Sequence, residues 1–167
     1  MGIEPSTILS FRDEYPEIVD VVLIEKAKSL AENTFTIEEF IAKEFEAGNI
    51  REDQFTDAAS SISFHGHCQQ KAISGTKSTA KILNIPKNYQ AKEIPSGCCG
   101  MAGSFGFEKE HYDISMQVGE LVLFPAVRKA GEDIIISAPG TSCRHQIEDG
   151  TGRKAIHPVE VLLDALV

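Results

Sequence analysis

Four cysteines offer the most distinctive chemistry in this 167-residue sequence, and two of them are adjacent, in Gly97-Cys98-Cys99-Gly100. Neighbouring side chains point to opposite faces of a strand and lie well apart on a helix. Two adjacent thiolates therefore reach one centre only where the backbone turns sharply, and Gly97 and Gly100 permit the positive φ that such a turn needs. Cys68 and Cys143 each follow a strand-like run and precede helix-like sequence, so all four cysteines fit turns of one kind. A free cysteine is often an inert core residue. An adjacent pair bracketed by glycines is an odd way to fill a core, and the pattern favours thiolates that ligate metal.

The elements that must position these residues come in strand, turn, helix order, three times over. Ser61 to Phe64 is a short strand running into His65-Gly66-His67-Cys68, and a helix follows from Gln69 to Leu83 with Ala72, Ile73, Ala80 and Leu83 inward. Tyr89 to Pro95 is a weaker strand that delivers the cysteine pair. A long helix from Tyr112 to Ala130, with Ile114, Val118, Leu121 and Val122 inward and a kink at Pro125, leads to the strongest strand, Asp133 to Ser137, and so to Cys143. His157-Pro158 opens a last helix with Val161, Leu162 and Leu166 inward. Such connections make strands parallel and gather the following turns at one sheet edge, where ligands bind. The sequence predicts an α/β fold with a small, mainly parallel sheet and flanking helices. Helix N-termini beside Cys68 and Cys143 favour their thiolates.

Ahead of the sheet, residues 1–55 read as a helical, cysteine-free segment that covers the α/β unit of residues 56–167. Pro5 and Ser6 start a helix to Phe11, and Pro16 breaks it. A second runs from Glu17 to Ala31 with Val21, Ile24, Lys28 and Ala31 along one side. The third has a capping box in Thr36 and Glu39, a staple between Phe35 and Phe40, and Gly48 as its stop. Its apolar face is Ile37, Phe40, Ile41 and Phe45. Glu4, Arg12, Asp13 and Glu14 are read as a solvated or inter-domain face. The formal net charge of -9 leaves no basic field for nucleic acid or an anionic membrane. The longest apolar runs are far too short to span a bilayer. Four cysteines in an acidic sequence with no leader before the first acidic residues predict metal or redox chemistry in a reducing compartment, the cytoplasm.

Gly97-Cys98-Cys99-Gly100-Met101-Ala102-Gly103, with Cys68 before it and Cys143 after it, resembles the CCG cysteine-rich domain. That domain is found in the heterodisulfide reductases, the glycolate oxidase iron-sulfur subunit and large FAD-linked oxidases. His65-Gly66-His67-Cys68-Gln69-Gln70-Lys71-Ala72, Gly140-Thr141-Ser142-Cys143-Arg144 and the opening Gly2-Ile3-Glu4-Pro5-Ser6 with Arg12-Asp13-Glu14 look closest to the last of these. The resemblance implies the C-terminal iron-sulfur portion of an FAD-linked oxidoreductase acting on a small 2-hydroxy acid such as glycolate or lactate. It implies an iron-sulfur cluster of the [4Fe-4S] type on Cys68, Cys98, Cys99 and Cys143, with FAD held only by a partner domain or subunit. Any membrane association would be peripheral and through that partner. The wider family often ends in a Cys-x-x-Cys pair, whereas here Gln146 stands three residues after Cys143. The sequence holds no flavin-binding domain and no second CCG motif, which predicts either a fragment of a longer protein or a chain that works with separate subunits.

Other residues near the cysteines have weaker claims. His65 and His67 alternate on extended backbone, so at most one faces the centre; His67 is the candidate, beside or in place of a ligand, against an ordinary hydrogen-bonded histidine. His145 either replaces the thiolate missing after Cys143 or caps a turn, and His111 and His157 read as helix-start residues. Gly100, Gly103 and Gly106 bring backbone N–H groups to cluster sulfurs, since no lysine follows in P-loop position. Two further chemistries fit the same cysteines: a zinc-stabilised binding domain with four thiolates or three plus His67, and a dithiol redox enzyme using Cys98 and Cys99.

Overall fold

A computed structural model describes residues 1–167. The first 46 residues hold four helices, α1 (Pro5–Ile8), α2 (Glu14–Ile18), α3 (Ile24–Glu32) and α4 (Ile37–Glu46). The α/β part follows as β1 (Ser60–Phe64), α5 (Cys68–Ile73), α6 (Lys77–Leu83), β2 (Tyr89–Glu93), α7 (Tyr112–Leu121), α8 (Leu123–Lys129), β3 (Ile135–Ser137), α9 (Thr141–Thr151) and α10 (Pro158–Ala165). All strand pairs are parallel, in the order β2-β1-β3, with Ile62 opposite Ala91 on one side and Ile135 on the other. This is the α/β sheet with flanking helices and a helical N-terminal segment that the sequence predicts. No helix is long and apolar enough to cross a membrane.

Two apolar cores form around the sheet. Ile62 and Phe64 of β1 meet Ala42 of α4, Ile82 and Leu83 of α6, and Val161, Leu162 and Ala165 of α10. Ile136 of β3 meets Leu123, Phe124 and Val127 of α8 and Ile147 of α9, and the same cluster takes in Cys99 and Cys143. Each fully buried large apolar side chain stabilises the fold by about 1.5–3 kcal/mol. The cysteine loops are thus an extension of one core, held where the strands stop.

Local chemistry explains where the helices end. In α4 the Thr36 hydroxyl accepts from Glu39 N–H at 3.3 Å and the Glu39 carboxylate accepts from Thr36 N–H at 2.9 Å, the capping box read from the sequence. Gly48 beyond it takes φ +77°. The helix expected over 69–83 is two, α5 and α6, because the chain turns through Gly75 at φ +73°. The one expected over 112–130 breaks at Val122. Pro125 has no N–H for the Leu121 carbonyl and its ring crowds that group, so Leu121 ends α7 and Pro125 falls in the first turn of α8. Pro16 likewise lies in the first turn of α2 and does not break the chain there.

Several expected inward faces are turned outward. Val21 is exposed, and α3 buries Ala27. In α7 the buried residues are Ser115 and Gly119, while Ile114 and Leu121 face out, Leu121 at 77% exposure. The reason is a close helix approach: the Phe124 ring lies against both Gly119 and Gly150, where any Cβ would come within 2.3 Å of it. Ala72 is exposed, and in α10 Ala165 is buried where Leu166 was expected. In α4 the buried residues are Glu38 and Ala42, with Ile37, Phe40, Ile41 and Phe45 half-buried.

Candidate metal centre

The three loops meet at the carboxyl edge of the sheet. His65-Gly66-His67 leaves β1 and enters α5, whose first residue is Cys68. His67 caps that helix, its Nδ1 accepting from Gln69 N–H at 3.2 Å. After β2, Ile94 N–H still donates to the Phe64 carbonyl at 2.8 Å, and Pro95-Ser96-Gly97 delivers Cys98 and Cys99. After β3, Ala138-Pro139-Gly140 delivers Cys143 in the first turn of α9. The close fit of the first and third loops requires Gly140, where a Cβ would lie 2.5 Å from His67 Cδ2 and 3.2 Å from Cys143 Sγ.

The turn after the cysteine pair depends on Gly100. Its φ of +106° is left-handed, a Cβ there would sit 2.1 Å from the Ser115 carbonyl oxygen, and its N–H donates to Cys98 Sγ at 3.3 Å. The expectation that Gly97 shares this role fails: Gly97 has no positive φ, and a Cβ would meet nothing. Its carbonyl accepts from Lys71 Nζ at 3.3 Å, and the Ser96 carbonyl accepts from the same ammonium, so α5 clamps the loop just before the cysteines. Gly106 is buried against Ser115 Oγ and Met101 Sδ, a packing position.

All four cysteines are free thiols, with Cys99 and Cys143 buried and Cys68 and Cys98 half-buried. The Cys99 and Cys143 sulfurs lie within 4.8 Å of each other, Cys68 lines one recess with Cys99, and Cys98 is the neighbour of Cys99 in the chain. Hydrogen bonds from Cys68 and Cys99 hold the Cys98 thiol well below its ordinary range, and the bond from Cys99, with His65 alongside, does the same for Cys143. Cys68 and Cys99 are pushed up as the donors. Four sulfurs tied this way share their charge through protons, and a cation does the same work better by taking the protons' place. A recess of about 250 Å³, lined in part by Ser6, Cys68, Gln69, Cys99 and Ala102, opens beside them. The thiol-rich donor set fits iron-sulfur ligation or zinc.

The histidines sort differently from the sequence expectation. His67 lies beside the cysteines with Nδ1 occupied by its cap. His65, given no role from the sequence, is fully buried, and a ring nitrogen of His65, Cys99 Sγ and Cys143 Sγ all lie within 4.8 Å of one another. No local signal separates the two: His67 and His157 cap helices through Nδ1, His157 accepting from Val159 N–H at 3.1 Å, and His65 Nδ1 is likewise engaged, 2.7 Å from Ser96 Oγ. His145 is exposed, edge-on to the Phe107 ring at 6.4 Å, on a shallow cleft with Glu4, Ser6 and Thr141. Gln146 donates to Ser115 Oγ at 2.8 Å and to the Ser115 carbonyl at 3.2 Å, so its amide is committed to α7.

The N-terminal segment reaches the same edge, and of the four residues read as a solvated or inter-domain face Glu4, Arg12 and Glu14 have partners while Asp13 is exposed. Glu4 accepts from Thr141 N–H, the first of α9, at 2.8 Å. Glu14 accepts from Gln69 at 3.1 Å, and Arg12 forms a two-pronged pair with Glu39 while donating to the Thr34 carbonyl. The charged residues of the opening thus tie α1, α2 and α4 to one another and to the helices that carry Cys68 and Cys143.

The chain is similar to stretches of larger proteins. It is 29% identical over 158 residues to one of the subunits of the anaerobic glycerol-3-phosphate dehydrogenase of Escherichia coli (strain K12), covering 94% of this chain and 38% of that one. It is 28% identical over 167 residues to D-2-hydroxyglutarate dehydrogenase of the same strain, covering 99% of this chain and 15% of the relative. With lactate utilization protein A of Bacillus subtilis (strain 168) the identity is 29% over 159 residues, covering 89% of this chain and 63% of the other. The chain therefore spans less than two thirds of each of these relatives. No family model and no solved structure matches it. Similarity across nearly its whole length places this chain beside parts of oxidoreductases, with a cysteine-lined centre at the edge of its sheet.

Proposed function

We propose that this chain is the iron-sulfur electron-transfer module of a flavin-linked oxidoreductase. Cys68, Cys98, Cys99 and Cys143 ligate a [4Fe-4S]-type cluster, and electrons pass through it from a flavin held by a partner domain or subunit to an acceptor. The observation that carries this reading is the convergence of cysteines from three separate loops: the Cys99 and Cys143 sulfurs lie within 4.8 Å of each other, Cys68 lines the same recess as Cys99, and Cys98 adjoins Cys99. Backbone N–H groups near the sulfurs, such as Gly100 N–H, tune the potential of such a centre. Residues 1–55 and 56–167 work as one unit in this reading. Two of the relatives are named for 2-hydroxyglutarate and lactate, both 2-hydroxy acids, which supports a small substrate of that class for the flavin partner. Free thiols suit a reducing compartment such as the cytoplasm.

Anaerobic reconstitution with iron and sulfide, followed by metal and sulfide analysis and electron paramagnetic resonance, tests the reading. Wild type is expected to retain both elements and to give a reducible paramagnetic centre, and Cys98→Ser to lose most of the iron. A wild-type protein that retains neither refutes it. A zinc-stabilised domain is the second reading, favoured by the compact His65, Cys99 and Cys143 group, which suits a single small ion. It predicts stoichiometric zinc, no bound sulfide and unfolding on chelation.

A further inference from the structure

We infer that His65 is a nitrogen ligand of this metal centre, binding through Nε2. The inference rests on the proposed reading of the four thiols and adds a donor to it. His65 follows β1 directly, and its backbone N–H donates to the Ser137 carbonyl at 2.8 Å, so the residue is fixed between β1 and β3. Its ring is wholly buried, with Nδ1 2.7 Å from Ser96 Oγ. The Ser96 hydroxyl has an acceptor of its own, the Ile94 carbonyl at 3.4 Å. With the hydroxyl donating to that carbonyl, Nδ1–H is the donor in the His65–Ser96 contact and the ring's lone pair lies on Nε2.

That Nε2 has no hydrogen-bond partner in the protein, although it is completely buried. Buried polar atoms are nearly always paired, and an exception calls for a reason. The reason lies in the neighbours, since the His65 ring offers a nitrogen within 4.8 Å of both Cys99 Sγ and Cys143 Sγ, and Nδ1 is already engaged by Ser96. Histidines that bind metal characteristically donate their other N–H to a nearby oxygen, which fixes the tautomer and aims the ring. Ser96 supplies that oxygen, and it stands two residues before Cys98, so one loop both carries the thiol pair and orients the imidazole. His67 lacks this arrangement, because its Nδ1 receives a backbone N–H at the start of α5.

The test uses the full chain reconstituted anaerobically with ferrous iron and sulfide, in natural-abundance form and with 15N-labelled histidine. Pulsed electron paramagnetic resonance of the reduced centre reads nitrogen hyperfine coupling. A strong coupling that changes isotope signature in the labelled protein, persists in His67→Ala and disappears in His65→Ala supports the inference. Should His65→Ala not fold, the labelled wild type and His67→Ala still decide it. Iron and sulfide retained with no coupling to a histidine nitrogen, or a coupling lost in His67→Ala but kept in His65→Ala, overturns the assignment and leaves the thiol reading standing. Retention of neither iron nor sulfide overturns both.

Discussion

Glu38 gives the sharpest test of the packing, because its carboxylate is completely buried in α4 and neither oxygen has a hydrogen-bond partner. His157 Nε2 lies 3.6 Å from one of these oxygens and itself donates to the Ile3 carbonyl. Burial pushes the Glu38 carboxyl up from 4.5 to about 7. Between those two values the folded chain holds a proton that the unfolded chain has released. Stability therefore falls as pH rises from about 4.5 to about 7, and is flat above. At about 1.4 kcal/mol per pH unit, that gap amounts to roughly 3 kcal/mol. Glu38→Gln removes the titrating group, so the variant should gain on wild type by about 2–3 kcal/mol between pH 5 and pH 8. The difference between the two proteins cancels the titrations of groups remote from Glu38; His157, whose pKa burial lowers, tilts the profile the opposite way. Urea denaturation of both metal-free proteins under reducing conditions, at pH 5, 6, 7 and 8, measures it. Parallel profiles would mean that Glu38 is already ionised in the native state, and would refute the argument.

Two further perturbations probe the cysteine edge. Gly100→Ala forces a Cβ to within 2.1 Å of the Ser115 carbonyl at φ +106°, and should cost about 3 kcal/mol or more and most of the bound iron; a thermal melt and iron content at the wild-type level would contradict the placement of the loop. Glu4→Gln removes a carboxylate from the start of α9. Burial raises the Glu4 pKa, but hydrogen bonds from Thr141 and Ser6 outweigh it and the net shift is downward, so the carboxylate stabilises the fold above pH 4.5 and loses that effect as pH falls through its lowered value. The variant should be less stable by about 0.3–1 kcal/mol at pH 7, with the difference shrinking as pH is lowered below 4.5, measured by urea titration across that range.

The strands and the cysteine turns were legible because glycine, proline and short β-branched runs punctuate them. Ser61 to Phe64 lies inside β1, β3 takes the last three residues of the strand expected over Asp133 to Ser137, and Thr36 with Glu39 declared the start of α4. The faces of the helices were harder. Apolar periodicity assumes that large residues point inward, and in α7 a close approach reverses this: Ser115 and Gly119 let Phe124 and Gln146 come near while Ile114 and Leu121 face out. Glu38 was invisible for a related reason, since no local pattern marks a carboxylate for burial. His65 and His67 are told apart by burial and by ring partners that no local pattern shows: Ser96, the partner of His65, is 31 positions away.

Gln146 shows how one residue type changes the job of a position. The resemblance implies a thiolate there, one helical turn after Cys143 on the same side of α9. The amide instead donates twice to Ser115, and its Nε2 would lie only 2.9 Å from a Cβ at Gly100. Gln146 thus backs the loop that presents Cys98 and Cys99 and joins α7 to α9 behind it. If that support is its whole role, Gln146→Ala should lower stability by about 2 kcal/mol, from a lost buried hydrogen bond and a small void, and still retain iron after reconstitution. Cys143→Ser should do the reverse, since a hydroxyl fills the space of the thiol but is a poor ligand for iron. Parallel measurement of urea midpoint and iron content separates the two roles. A Gln146→Ala protein that keeps its midpoint but loses its iron would place residue 146 among the ligands and undo this division of labour along α9.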